Sequence, residues 1–408
     1  MSQIMVSERV KRLRKNPTIL FWAKALLNVK MMNIVVTLFY LHRGLTLSQV
    51  FFLSIVWSVV NIIVEIPSSY LADKWGRKKT LMLGSIAFVL QVILLFFANN
   101  FWIFALSIAL LACSYACFSG TDDALIYDTK KELKEEDKSL KALGTYYSAQ
   151  RIFKIITPVI GVFIAKDLIA SQFIIIIAVD LLAALGTLFL ITRLEEPHHA
   201  MDVAKQEAGV ILDAFTLIKN NKGLLRLIIN RTVLFICSFI LWRYFQKLFV
   251  DIGMTVIALG IGWSLFQLAA YIGTRHITHI FKKLPIPSRI NMLNVGMVFS
   301  IAAFVATWFI WRNPYLLFVW YSGIAFCEVL RWPLFSEISN KISSSYNRAT
   351  TLSLMNFIKS ILDLPLLFIG AILVSGNLIY PYIFAGVLAC IVTFAIKLKP
   401  HMYKTKSI

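Results

Sequence analysis

The sequence is short of charge. Only 15% of its 408 residues are Asp, Glu, Lys or Arg, while 59% are hydrophobic and the mean hydropathy is +0.75. A soluble domain fills its core with far less apolar surface, so this balance excludes an ordinary water-soluble fold and implies a lipid-facing chain. Acids are the scarcer sign: 21 Asp and Glu stand against 41 Lys and Arg, a net charge of +20. In a soluble protein that surplus would point to nucleic acid. Here the cations sit mainly between apolar runs, as cytoplasmic membrane flanks do, and share no contiguous domain, so no nucleic-acid partner is expected.

Other absences narrow the chemistry. The chain has no glycine-rich phosphate loop, no ATP-binding motif, no Ser-His-Asp arrangement and no metal-spaced set of Cys and His. It is therefore not read as an enzyme, and no cofactor or metal is expected. The five cysteines (Cys113, Cys117, Cys237, Cys327, Cys390) all fall inside apolar runs and read as small packed side chains, Cys113 and Cys117 on one helix face. His276 and His279, at i, i+3 near a helix end, read as interfacial decoration rather than metal ligands. The basic N-terminus (Arg9, Lys11, Arg12, Arg14, Lys15) is followed by a long apolar segment without a small-residue cleavage site, which reads as a retained first span.

What the sequence has in quantity is the apolar run of membrane length, about 20 residues. Twelve are predicted: 18–41, 50–71, 81–98, 102–126, 142–165 and 171–191, then, after a polar stretch, 224–250, 256–278, 290–311, 315–338, 349–373 and 378–396. The expected organisation is a basic N-terminus (1–17), a six-helix bundle (18–192), a linker (193–223), a second six-helix bundle (224–397) and a tail (398–408). Lys and Arg gather on the untranslocated side. They cluster at the N-terminus, at Lys74, Arg77, Lys78 and Lys79, at Lys130, Lys131, Lys134, Lys138 and Lys141, and at Lys397, Lys399, Lys404 and Lys406, which places both termini in the cytoplasm. A shift of 207 residues lays Ala142 on Ala349, Pro158 on Pro365 and Lys24 on Arg231. One register aligning several features indicates a duplicated six-helix unit, the arrangement of transporters that rock two halves around a central site.

The loop between the second and third runs, LADKWGRKKTL at 71–81, preceded by EIPSS at 65–69, resembles the loop signature of the major facilitator superfamily. It matches at Leu71, Ala72, Asp73, Gly76, Arg77 and Lys78 and departs at Ser69, where that family usually has glycine. SGTDDALIYD (119–128), LEEP (194–197), YFQKLFVDIG (244–253) and NRATTLSL (347–354) look like a bacterial drug-efflux-like branch. The antiporter signature of the fifth span is half present: Thr157, Pro158, Gly161 and Val162 keep the proline and one glycine. The resemblance implies a conformational latch in which Asp73 caps the eleventh helix and Arg77 pairs with an acid of the fourth, with Asp122, Asp123 and Asp128 available. The alternative is that Asp73, Gly76, Arg77, Lys78 and Asp128 merely hold topology. The corresponding HIFKKLP stretch (279–285) has Ile280 in place of Asp73, so an acid-bearing latch is expected in the first half alone.

A charge inside a bilayer costs about 2.5 to 3.5 kcal/mol and calls for a pathway, a partner or an escape to the interface. Lys24, with Asn28 and Met31 on its face, either snorkels to the cytoplasm or joins Arg231 as a cationic pair on the cavity floor. Organophosphate carriers of the superfamily use such a pair, which implies an anionic substrate. Tyr115, Phe118, Asp122 and Ile126 recur at helical spacing, so Asp122 either carries a coupling proton or serves the latch. Arg151 and Lys154 read as cavity residues or as partners of Asp122 or Asp123. Arg243 and Lys247 lie near an aromatic belt, Glu328 with Arg331 and Lys359 with Asp363 are spaced for intrahelical pairing, and Asp180 needs a partner or a proton.

The sequence thus reads as an all-α, multi-pass protein of the cell inner (plasma) membrane, twelve transmembrane helices in two six-helix pseudo-repeats with the superfamily's fold, acting as a monomer. The expected activity is secondary active transport of a small molecule by alternating access, as proton-coupled efflux of an amphipathic compound. Two rivals stand beside it: an organic-anion or phosphate-ester carrier, and a non-transporting membrane scaffold or receptor of the same fold.

Overall fold

The computed structural model describes residues 2–197, 222–277, 282–342 and 348–400; the side chains of some helical residues, among them Asp73, Arg151 and Lys359, lie outside the described set. The chain divides into two compact units, one of Met1–Thr46 and Leu53–Val203, the other of Leu47–Phe52 and Ala204–Ile408. Every regular element among the described residues is helical.

The first unit holds α1 (Ser2–Leu13), α2 (Asn16–Leu27), α3 (Val36–His42), most of α4 (Leu47–Trp75), α5 (Arg77–Phe97), α6 (Phe101–Phe118), α7 (Thr121–Glu132), α8 (Ser139–Ile164) and α9 (Ala170–Thr192). The second holds α10 (Lys222–Trp242), α11 (Phe245–Asp251), α12 (Val256–Arg275), α13 (Ile286–Ile310), α14 (Pro314–Ile342), α15 (Arg348–Gly376) and α16 (Tyr380–Ala395). Among the described residues eight helical stretches are long and apolar enough to cross a membrane, or nine if the bent pair Glu8–Ile34 and Val36–His42 is one span. Ile361–Gly376 and Tyr380–Ala395 are shorter apolar helices.

The helix ends are specified locally. Asn100 accepts from the Trp102 and Ile103 amides at 3.1 Å each and so starts α6; Asn313 does the same for Tyr315 and Leu316, at 3.0 Å each, in α14. Pro158 and Pro365 both lie inside their helices, α8 and α15. The units also repeat their packing. In the first, α5 packs on α6 and α9, and α2 on α8 and α9; in the second, α13 packs on α14 and α16, and α10 on α15 and α16.

Lipid offers no hydrophobic drive between helices, so close approach of small residues carries the packing. A Cβ on Gly84 would sit 2.8 Å from the Cβ of the buried Cys117, so the close approach of α5 and α6 there calls for glycine at position 84. The first unit also holds a core of Leu20, Leu81, Phe118, Leu125, Tyr146 and Ile191 near one end. Leu227, Ile290, Leu334, Phe335 and Leu398 form the comparable cluster of the second.

Three predicted runs are interrupted. The first bends by 53° between residues 34 and 36, after a 3-10 turn at Met31–Ile34. The fourth breaks between α6 and α7, where Gly120 takes φ +75°, a backbone that side chains resist. The seventh breaks at Arg243–Tyr244, between α10 and α11. The helical spacing predicted from Tyr115 to Ile126 therefore does not run through: Tyr115 is exposed, whereas Phe118, Asp122 and Ile126 are buried.

Candidate functional site

The break at Gly120 makes Asp122 and Asp123 the first-turn acids of α7, where the unpaired amides and the helix dipole favour an anion. Asp122 is buried. It lies 3.1 Å from Lys24 Nζ of α2, and Tyr146 of α8 donates its hydroxyl to the same carboxylate oxygen, Oδ2. Lys24 Nζ also stands over the Tyr146 ring, 4.8 Å from its centroid, and 5.7 Å from that of Tyr147. Tyr147 donates to Asp123 Oδ2 at 2.6 Å, and Asn28 donates to the Lys24 carbonyl at 2.8 Å. A lysine, two carboxylates and two phenols from three helices thus form one contact cluster. Each carboxylate takes a phenol donor on its Oδ2, and the Lys24 ammonium stands beside Asp122 as its charge partner.

The sequence singled out Lys24, Asn28, Asp122 and Asp123 here, and the first unit brings all four together. Lys24 reaches an acid within its own unit. Arg151 falls on α8, with its side chain outside the described residues, and Lys154 of the same helix is exposed. Tyr146 and Tyr147 were missed; a Tyr-Tyr pair at the polar start of an apolar run was the available signal.

A second cluster gathers at the signature loop. Arg77 Nε lies 2.7 Å from Asp128 Oδ2 as an ion pair, so of the three candidate acids Asp128 is the one beside Arg77. Gly76 takes φ +104° just before α5, and a Cβ there would meet the Glu196 carboxyl carbon at 3.0 Å. Glu196 accepts from the Arg77 and Lys78 amides at 2.8 and 2.7 Å, satisfying two orphan donors of the helix start. Arg9 Nε pairs with Glu132 at 3.0 Å and its Nη1 with Glu195 at 3.1 Å, while Asn16 exchanges hydrogen bonds with the Glu195 backbone at 2.8 and 3.0 Å. The chain after α9 is thereby stitched to α1, α2 and α5. Glu196 was unread in sequence as a site residue, although LEEP marked its stretch. The side chain of Asp73 lies outside the described residues, as do His279, Ile280 and Asn347.

In the second unit Arg331 is wholly buried. It pairs with Glu328 one turn back on α14 and donates to the Asn230 carbonyl of α10 at 3.0 Å. Asn294 of α13 donates to Asn230 Oδ1 at 3.1 Å, and Asn230 donates to the Ile396 carbonyl at 3.2 Å. Arg331 therefore ties helices together. Its neighbour Arg231 stacks over the Trp332 ring at 4.3 Å, with its buried Nε free of any hydrogen-bond partner among the described residues. Lys247 pairs with Asp251 at 2.5 Å along α11, and His276 Nδ1 lies 3.0 Å from the Ile272 carbonyl. Among the described residues no three His, Cys, Asp or Glu gather as a metal site.

Solved structures share this architecture. The nucleoside transporter NupG superposes with a TM-score of 0.72 at 15% identity, over 97% of this chain and 100% of that one. A bacterial homologue of the human lysosomal transporter Spinster, inward-facing and unoccupied, gives 0.74 at 15%, over 97% of each chain. A D-xylose-proton symporter gives 0.75 at 12%, over 97% of this chain and 99% of that one. At these identities the likeness is one of fold. A search of curated proteins finds no match. The model of the Major Facilitator Superfamily matches residues 23–364, and the chain, helical in every regular element among the described residues and with membrane-length apolar helices, belongs to that superfamily.

Proposed function

We propose that this membrane protein is a secondary transporter that moves a small molecule by alternating access, coupled to protons and working as an efflux carrier for an amphipathic compound. The observation that carries the reading is the buried Lys24–Asp122 pair capped by Tyr146. An ion pair kept in a bilayer is costly, which argues for a working role, and a proton bound by the carboxylate would break its contacts with Lys24 and Tyr146 and so link proton binding to rearrangement. In this reading Lys24, Asn28, Asp122, Asp123 and Arg151 serve substrate or proton in the first half, with Arg231, Glu328 and Arg331 contributing from the second. Asp73, Gly76, Arg77, Lys78 and Asp128 act as the latch, now with Glu196. Twelve spans, a monomeric state, cytoplasmic termini and an inner-membrane location complete the proposal. The efflux direction rests on Pro158 and Gly161, the retained part of the antiporter signature.

Arg231 favours a second reading, an organic-anion or phosphate-ester carrier. A guanidinium stacked on Trp332, with a buried N–H unclaimed, suits an anionic group on an aromatic or amphipathic body. Purified protein in proteoliposomes separates the readings. An imposed pH gradient drives flux of amphipathic cations or neutral compounds in the first case; anion exchange lost in Arg231→Gln supports the second. Binding of a partner protein with no flux of any solute contradicts both.

A further inference from the structure

The first span is interrupted in its middle, and the interruption has its own carboxylate. Asp180, the eleventh residue of the 23-residue α9, accepts from the Met31 amide through Oδ1 at 2.9 Å and from the Met32 amide through Oδ2 at 3.3 Å. These are amides at the start of the 3-10 turn that leads into α3, where a helix break leaves donors unpaired. Gly161 of α8 closes the other side, since a Cβ there would sit 2.7 Å from the Met31 carbonyl oxygen. The bend is thus clamped between a carboxylate and a glycine. Asp180 is 8% exposed, and no ion pair to it occurs among the described residues.

The charges around it are few. Lys30, on the broken segment, acts on Asp180 through its charge, and Lys30 is itself in the field of Lys154 on α8 and Lys24 on α2. The Lys30 ammonium is directed over the Phe88 ring of α5 at 5.8 Å. From α3, the His42 ring packs at a tilt against Phe173, two turns before Asp180 on α9. Between Leu81 and Phe97, α5 offers no charged residue. Two backbone donors favour the carboxylate anion, and burial opposes it. The 207-residue shift puts Val387 at the equivalent place in the second unit, so the break at Arg243 has no matching acid.

We infer that Asp180 is a proton-binding site that controls the bend of the first span, separate from the Lys24–Asp122 cluster. Deprotonated, its two oxygens hold the Met31 and Met32 amides and the bend is fixed. A proton taken from solution onto one oxygen leaves a neutral acid, a weaker acceptor for two donors, and α3 is released to swing relative to α2. The site does not depend on Asp122 being the coupling residue.

Amide hydrogen exchange on the full-length protein in nanodiscs, read by mass spectrometry with residue resolution across 29–36, tests it. Protection factors at Met31 and Met32, corrected for intrinsic rates, are expected to fall by about tenfold or more as pH drops through the Asp180 titration, the loss of a charge-assisted acceptor. Asp180→Asn is expected to abolish that pH dependence, and Asp122→Asn to leave it in place. Protection in the wild-type protein that stays constant between pH 4 and pH 9, about the range over which carboxylates titrate in proteins, overturns the inference even if Asp180→Asn fails to fold. A pH dependence that vanishes in Asp122→Asn and persists in Asp180→Asn also overturns it.

Discussion

Lys24 and Asp122, 98 residues apart in sequence, meet at 3.1 Å inside the first unit, with Tyr146 donating to the carboxylate oxygen that faces the ammonium. Each charge is the other's reason to be there. Removing one leaves the other buried and uncompensated, which costs about 3 to 5 kcal/mol. Lys24→Met alone is therefore expected to lower the thermal unfolding temperature sharply, and Lys24→Met with Asp122→Asn to recover most of it. Thermal unfolding in detergent checks this; a double variant no more stable than the single one contradicts the pairing.

Glu196 reaches back 119 residues to cap α5 through the Arg77 amide. Glu196→Gln keeps one acceptor and loses the charge, and Glu196→Ala loses both. The expected cost is about 1 kcal/mol for the first and up to about 2 for the second, within the range of lost caps. Accelerated proteolysis after α9 would accompany it, since that carboxylate fastens the departing chain. Unchanged stability in Glu196→Ala would show that the cap is not used.

Gly76→Ala combines two penalties at one position. Its backbone sits at φ +104°, and the new methyl would meet the Glu196 carboxylate at 3.0 Å. The expected loss exceeds about 1 kcal/mol, because the strain of a positive-φ, extended backbone that only glycine adopts readily and the steric displacement of the cap add. Gly44→Ala is the comparison, with φ +88° and open space around it, and should cost less. Equal losses in the two variants would mean that the carboxylate moves aside freely.

Asn230 holds the second unit at the point where Arg331, Asn294 and the Ile396 carbonyl converge. Asn230→Leu strands the Asn294 amide and the Ile396 carbonyl, each about 1 to 3 kcal/mol when buried and unpaired. Loss of folded protein during purification is the expected result. A stable Asn230→Leu with normal unfolding temperature would mean that water replaces those bonds.

The membrane class, the placement of most helices and the signature loop were all legible in the sequence. Apolar runs of span length and a local motif such as LADKWGR are written in consecutive residues, so a linear reading recovers them. The interruptions were less accessible. Ser119–Gly120 was a readable local break, since glycine at that dipeptide supplies the positive φ. The bend at Met31 had no such mark: it depends on Asp180, 149 residues away, and on Gly161 of a third helix. Asp122 was recognised as a buried acid, but its partners Lys24 and Tyr146 come from other helices, and sequence spacing alone does not choose among Arg77, Arg151 and Lys24. The chosen pairs follow from helix packing, with α2 set against both α7 and α8.

In the proposed cycle the coupling proton is assigned to Asp122. Wild-type protein and Asp122→Asn, reconstituted in proteoliposomes with one identified substrate, are compared in two modes: accumulation driven by an imposed pH gradient, and exchange of labelled for unlabelled substrate with no gradient. Asp122→Asn is expected to keep exchange and to lose gradient-driven accumulation. Accumulation by Asp122→Asn at the wild-type level would contradict that assignment.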